Sequence, residues 1–194
     1  MRFGYIGGLL IIGACLLNVV TAVIAATGGS VSVAGAGPGG LTLTVALAML
    51  ALGALLLGIG GARSLNRFAR LGLVLSGIGL TATLSTANVS VSSMLVLVFL
   101  IGGLVAWLGV VITGLAVLAT PGRPRQAGLV FGAGVLIASA AGALNNVVGA
   151  TIAGPIALVG GAVILAGIAA IGLLGVRAGQ APAPVAGSSA AGAD

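Results

Sequence analysis

The stretch Arg63-Ser-Leu-Asn-Arg-Phe-Ala-Arg70 carries three of the seven basic residues of this chain within eight positions. Long apolar runs lie on both sides of it, so the stretch predicts a water-facing turn between two membrane-spanning helices. Short loops that are rich in arginine stay on the cytoplasmic side of a membrane. A cytoplasmic position for this turn therefore orients every other segment of the chain.

The composition of the chain argues against a soluble domain. Of its 194 residues, 60% are hydrophobic and 4% are charged, and the mean hydropathy is +1.37. A soluble domain carries about 25% charged residues, which keep its surface in water. A surface with so few charges is stable against lipid. We therefore predict an all-α integral membrane protein whose surroundings are the lipid bilayer.

Six apolar segments predict a polytopic bundle of six transmembrane helices in one domain, residues 1–177. Gly37-Pro-Gly-Gly40 predicts the end of an outer loop before the second span. The segment 178–194 consists mainly of Ala, Pro, Gly and Ser, and it predicts a disordered cytoplasmic tail. The predicted spans lie at about residues 4–26, 41–62, 71–87, 94–120, 127–144 and 151–176.

The other arginines agree with one topology. With six spans, Arg2, Arg123, Arg125 and Arg177 fall on the same side as the Arg63–Arg70 turn, and the predicted outer connections carry no charge. We therefore expect both termini in the cytoplasm and the protein in the cell (inner or plasma) membrane. The Ala-, Gly- and Arg-rich usage is typical of a prokaryote with a GC-rich genome.

The first span can also be interpreted as a leader segment that is cleaved off. Arg2 precedes an apolar run, and Ile12-Gly-Ala-Cys15 resembles a lipoprotein cleavage box. The apolar run continues past Cys15, where a lipoprotein would become polar. This continuation favours a retained first helix.

A threefold pattern predicts that the six spans form three helical hairpins. Each hairpin begins near an arginine and reaches an asparagine near the outer face. The arginines are Arg2, Arg70 and Arg125, and the asparagines are Asn18, Asn88 and Asn145.

The asparagines belong to a candidate polar cluster with two readings. The first is a polar vestibule on the outer side of the bundle. The second, which we favour, is that Asn88 and Asn145 cap helix ends and Asn18 bonds to a neighbouring helix, at about 0.6 kcal/mol per bond. The members of this candidate cluster are Asn18, Asn88, Asn145, Ser85, Thr86 and Ser139.

The arginines also have two readings. In a helical turn, the basic side chains beside Phe68 would contact anionic headgroups, at about 1 kcal/mol per arginine. The alternative, which suffices, is that they set the topology alone. The residues assigned to this interface are Arg63, Arg67, Arg70, Arg123, Arg125 and Arg177.

Small residues recur at four-residue spacing, as at Gly4 and Gly8 or at Ala162, Ala166 and Ala170. Such stripes let helix backbones approach closely, either between subunits or within one compact bundle. We favour packing within the chain.

Trp107 lies near the middle of the fourth span, away from the membrane interface where tryptophan usually anchors a helix. It has two readings: a contact with ligand or lipid, or a space filler beside Gly103 and Gly109. We favour the space filler.

The residue types needed for catalysis are almost absent. The chain has no His, Glu or Lys, and Asp194 is its one carboxylate side chain. We therefore predict no enzyme activity, no cofactor and no metal site. The arginines are spread between apolar runs rather than clustered with aromatics, so no nucleic-acid binding is expected. Proton-coupled transport usually relies on acidic or basic side chains inside the membrane, and the predicted spans contain none.

Three glycine-rich helix starts carry a family resemblance. Phe3-Gly-Tyr-Ile-Gly-Gly8, Leu71-Gly-Leu-Val-Leu-Ser-Gly77 and Ala127-Gly-Leu-Val-Phe-Gly132 each follow a basic segment. With the three-hairpin layout, over about residues 2–177, the chain resembles the HdeD-like small membrane proteins linked to acid resistance. That family often carries a proline after the first helix of a hairpin, where this chain has asparagine. The resemblance implies a bacterial or archaeal inner-membrane protein without catalytic residues.

The sequence therefore predicts a non-enzymatic membrane protein with a structural, accessory or stress-related role. One alternative is a small uncoupled channel or facilitator with a path lined by hydroxyls and amides. Another is a homo-oligomer or a subunit of a larger membrane complex. A water-lined path through the bundle would favour the channel, and a solid interior would favour the first reading.

Overall fold

The computed structural model describes residues 2–28, 37–60, 65–86, 93–148 and 150–180, and at Arg2 and at some positions within the last three helices it describes the backbone alone. These residues form six α-helices and contain no strand, so the all-α prediction is confirmed. The helices are α1 (Arg2–Ala26), α2 (Pro38–Gly60), α3 (Arg67–Thr86), α4 (Ser93–Leu118), α5 (Arg123–Val148) and α6 (Ala150–Gln180).

Five of these helices contain segments that are long and apolar enough to cross a membrane. The segments are Phe3–Ala26, Pro38–Gly60, Arg67–Thr86, Val96–Leu118 and Val159–Arg177. The outward surface of the helices agrees with this assignment, because large apolar side chains such as Leu136 and Leu41 are exposed. Such a surface is stable in lipid and not in water. The chain is therefore membrane-embedded.

The second helix begins three residues before its predicted start at 41. Pro38 occupies the first helical position, where its missing N–H is not needed and its fixed φ suits the helix. The N–H of Leu41 donates to the carbonyl of Gly37 at 2.9 Å and closes the first turn. Gly37-Pro-Gly-Gly40 therefore opens the helix rather than ending a loop.

Other boundaries also differ from the predicted spans, since α5 begins at Arg123 rather than at 127 and α4 ends at Leu118 rather than at 120. Asn145 and Asn146 lie in the last turn of α5 instead of beginning an outer turn. The helix α3 begins at Arg67, inside the predicted turn. The helix α6 continues through residues 178–180, and the rest of the predicted tail, residues 181–194, lies outside the described residues.

Consecutive helices pack side by side, and α6 packs against α1, so the contacts form a closed ring. Glycines allow the backbones in this ring to approach closely. A Cβ added at Gly79 of α3 would lie 2.5 Å from the carbonyl oxygen of Gly102 in α4. A Cβ added at Gly8 of α1 would lie 2.9 Å from the backbone nitrogen of Val176 in α6. Lipid supplies no hydrophobic drive between helices, so this close packing holds the ring together.

Candidate functional site

The candidate outer cluster is only partly described. Asn88 lies outside the described residues, and the side chains of Asn145 and Ser139 in α5 lie outside the described part of that helix. The other three members bond to their own helices. Asn18 Nδ2 donates to the carbonyl of Ala14 at 2.9 Å, so its bond does not go to a neighbouring helix. Ser85 and Thr86 donate to the carbonyl of Ala82 at 2.8 and 3.1 Å.

A polar contact between helices lies instead at Thr21 and Thr42, which the sequence analysis did not single out. Thr21 Oγ1 lies 3.1 Å from Thr42 Oγ1 and also donates to the carbonyl of Leu17. This pair joins α1 to α2. No spacing rule in the sequence marks it, because threonines are common in apolar helices and usually bond to their own backbone.

Asn66 connects α3 to α4 through hydrogen bonds at one end of the bundle. Its Oδ1 accepts a hydrogen bond from the N–H of Ala69 at 2.8 Å, which caps α3. Its Nδ2 donates to the carbonyl of Ala116 at 3.0 Å and lies 3.1 Å from Thr120 Oγ1, which joins the start of α3 to the end of α4. The sequence analysis attended to the arginines around Asn66 and missed it, although an asparagine before an apolar run is a recognisable N-cap signal.

Arg70 stabilises the end of α2. Its Nε and Nη2 donate to the carbonyls of Gly58 and Ile59 at 3.0 and 3.1 Å. These carbonyls have no partner within the helix, and a cation beside them also complements the helix dipole. Arg70 therefore has a structural role that neither sequence reading included.

Three of the other arginines assigned to the membrane interface have described side chains. Arg67, Arg125 and Arg177 are exposed, as expected of topology or headgroup residues. Phe68, beside Arg67, is 69% exposed. Arg63 lies outside the described residues, and of Arg123 only the backbone, at the start of α5, is described.

Trp107 points outward from α4. Its side chain is 62% exposed, so it does not fill space inside the bundle. Gly109, two positions further, packs against α3 while Gly103 faces open space. In a membrane-embedded chain, this exposed ring contacts lipid.

A small cavity lies between the helices of the ring. Its volume is about 70 Å³. All six helices contribute to its wall, for example Ile11, Leu50, Leu73, Val110, Phe131 and Ile168. Two hydroxyls also line it, but Ser76 and Thr113 donate to the carbonyls of Gly72 and Gly109 in their own helices at 2.9 and 2.8 Å. Cavities lined by aliphatic and aromatic side chains stay dry.

Aliphatic side chains are buried between the helices beside this cavity. Ile11, Leu57 and Val117 are the largest fully buried side chains. They pack in one core cluster with Ala69 and Leu174. We call these three residues, which come from α1, α2 and α4, the aliphatic plug (Ile11, Leu57 and Val117).

A second concave feature lies between α1 and α6, and we call it the α1–α6 groove. Its volume is about 910 Å³. Its walls carry almost only apolar atoms, with polar groups at Cys15, Asn18 and Thr21. The lining residues are Ile12, Cys15, Leu16, Asn18, Val19, Thr21, Ala22 and Ala25 of α1, and Gly161, Ala162, Ile164, Leu165, Ala166 and Ala169 of α6.

Comparison with protein-family models, with curated proteins and with solved structures finds no match for this chain. Within the described residues, no group of three or more His, Cys, Asp and Glu side chains lies together as a metal site would require. The features that bear on function are therefore the cavity, the plug, the groove and the basic end of the bundle.

Proposed function

We propose that this chain is a non-enzymatic integral membrane protein with a structural or accessory role, in which three helical hairpins form a sealed bundle. The observation that carries the proposal is the filled interior. The core cluster that contains the aliphatic plug takes side chains from all six helices, and the cavity beside it has a volume of about 70 Å³ and an apolar wall. A dry and nearly solid interior favours a scaffold over a transport path.

The proposal includes six spans, with α5 as the fifth. Its run from Ala127 to Leu144 is apolar and lies between Arg125 and Asn145. With that span, all seven arginines fall on the cytoplasmic side of a prokaryotic plasma membrane, together with both termini. The HdeD-like resemblance supports the same setting and implies a link to stress.

Labelling of single cysteines tests this orientation. In a Cys15→Ser background, we expect Thr27→Cys to react with a membrane-impermeant maleimide in intact cells. Arg67→Cys and Gln126→Cys should react only after the membrane is permeabilised, because positive turns remain inside. All three positions carry exposed residues. If Arg67→Cys and Gln126→Cys react on opposite sides, the six-span topology is wrong.

Flux into vesicles tests the sealed interior. Purified protein in phosphatidylcholine vesicles is expected to pass water, glycerol and small ions no faster than protein-free vesicles do. The physical reason is the aliphatic plug, since an apolar constriction without room for water blocks permeation. Stopped-flow light scattering and ion-sensitive dyes measure this, and vesicles with a known water channel provide the positive control.

The second candidate function is an uncoupled channel or facilitator. It is favoured by one observation, that the cavity touches all six helices and carries the hydroxyls of Ser76 and Thr113. To conduct, the bundle would have to move Ile11, Leu57 and Val117 aside. Flux by the wild-type protein well above that of empty vesicles would support this function and would contradict the sealed scaffold.

A further inference from the structure

We propose that a pocket between α2 and α3 binds the phosphate of an anionic phospholipid. This inference goes beyond the proposed scaffold role. It requires only that the helices are embedded in lipid, and it depends neither on a sealed interior nor on the orientation of the chain.

The pocket lies where α2 ends and α3 begins, and we call it the Arg67–Arg70 pocket. Its volume is about 300 Å³, and it is lined by Gly58 of α2 and by Arg67, Arg70, Leu71 and Val74 of α3. The two helices are in backbone contact at Gly58, where an added Cβ would lie 2.9 Å from the carbonyl oxygen of Arg70. One wall of the pocket is therefore backbone that is held in place by helix packing.

The position of the pocket in the membrane suits a lipid headgroup. Both α2 and α3 are long and apolar enough to cross a membrane. The last turn of α2 and the first turn of α3 therefore lie at a membrane surface, the level at which lipid phosphates lie. Basic pockets between transmembrane helices at this level bind lipid headgroups.

The two guanidinium groups can bind an anion. Arg70 donates two hydrogen bonds to the carbonyls of Gly58 and Ile59, at 3.0 and 3.1 Å, which hold its guanidinium in place. Its other N–H groups have no partner within the described residues, and neither has the exposed side chain of Arg67. Planar guanidinium groups bind phosphate oxygens through paired, charge-assisted hydrogen bonds.

The chain itself supplies almost no anion to these arginines. It has seven arginines, and Asp194 is its one acidic side chain. The described residues that line the pocket also include no acidic or aromatic side chain that could hold the choline of a neutral phospholipid. We therefore expect a phospholipid with net negative charge to bind more tightly than phosphatidylcholine.

The face of α3 that lines the pocket favours a lipid over a free phosphate. Its four residues stand at positions i, i+3, i+4 and i+7, which are neighbours on one helix face. Over about 10 Å along the helix, this face changes from guanidinium groups to the aliphatic side chains of Leu71 and Val74. Leu71 is 51% exposed, so a hydrocarbon chain below a bound phosphate can contact it.

Removal of one charge tests the proposal. Arg67→Gln removes one guanidinium and keeps Arg70, whose bonds stabilise the end of α2. Arg125→Gln is the matched control, because Arg125 is also an exposed arginine in the first turn of its helix and does not line the pocket. The delipidated proteins in mild detergent are titrated with dioleoyl phosphatidylglycerol or dioleoyl phosphatidylcholine, and native mass spectrometry counts the bound lipids.

Wild type and Arg125→Gln are expected to bind phosphatidylglycerol more tightly than phosphatidylcholine. Arg67→Gln should bind phosphatidylglycerol about fivefold more weakly than wild type, a loss of about 1 kcal/mol. Arg67→Lys keeps the charge and should bind nearly as wild type does, and added salt should weaken binding through screening. Circular dichroism and thermal unfolding of each variant separate loss of lipid from loss of fold.

Four outcomes would overturn the proposal. Equal affinity of Arg67→Gln and wild type for phosphatidylglycerol would show that the pocket is not the site. Equal losses in Arg67→Gln and Arg125→Gln would show a diffuse attraction to the basic end of the bundle. Equal binding of the two lipids by wild type would show that headgroup charge does not drive binding. Displacement of the lipid by glycerol phosphate at the same concentration would show a site for a free phosphate.

Discussion

Replacement of Gly109 by alanine is expected to destabilise the bundle by about 2 kcal/mol, within the range for overpacking a tight interface. An added Cβ at this position in α4 would lie 2.6 Å from the carbonyl oxygen of Gly72 and 2.6 Å from Ser76 Oγ in α3. The contact is reciprocal, since a Cβ at Gly72 would lie 2.7 Å from the carbonyl oxygen of Gly109. Backbone atoms cannot rotate away, so the two helices must separate.

The control for this experiment lies in the same helix. Gly103 has no atom within 4 Å of an added Cβ, so Gly103→Ala should be neutral, or more stable by up to about 1 kcal/mol because alanine favours helix. Unfolding of both variants by SDS titration from mild detergent, followed by circular dichroism, measures the difference. Equal midpoints for Gly109→Ala and Gly103→Ala would contradict the close α3–α4 contact.

Replacement of Leu57 by alanine is expected to cost about 2–3 kcal/mol of stability, the lower part of the range for buried leucines. Leu57 is fully buried in the aliphatic plug, in contact with the cluster that includes Ile11 and Leu174. In lipid, the separated helices are also in apolar surroundings, so the loss comes from the cavity and from dispersion contacts rather than from transfer out of water.

Leu52 provides the matched control for Leu57. It lies in the same helix and its side chain is 50% exposed, so its truncation leaves no cavity inside the bundle. Leu52→Ala should therefore change the unfolding midpoint by less than about 1 kcal/mol. A loss of stability in Leu52→Ala as large as that in Leu57→Ala would mean that Leu57 does not occupy the centre of a packed ring.

The basic turn shows which features of the fold the local sequence predicts. The stretch from Arg63 to Arg70 predicted a break between two apolar helices, and the structure has α2 ending at Gly60 and α3 beginning at Arg67. The exact start of α3 was also readable, because Asn66 is a favourable N-cap. The bonds from Asn66 to α4 were not readable, since they depend on which helix lies beside the turn.

The contacts of the candidate polar cluster were not predicted by the local sequence. Asn18, Ser85 and Thr86 were grouped by depth along their spans, and each bonds to its own helix instead. Trp107 was expected inside the bundle and lies on its outer surface. The helices α1 and α4 are apolar on nearly every face, so their sequences contain little of the polar-apolar pattern that tells which face of a soluble helix is buried.

Length and hydropathy of single segments were sufficient to determine that this chain is all-α and embedded in a membrane, because each helix satisfies its own backbone hydrogen bonds and dissolves in lipid without its neighbours. Only the tertiary structure decided that the helices close into a ring, that Leu57 and Val117 are buried in one core cluster, and that a groove lies between α1 and α6. Those features depend on where glycines of different helices come into contact, and close packing between distant segments leaves no periodic signal in an apolar sequence.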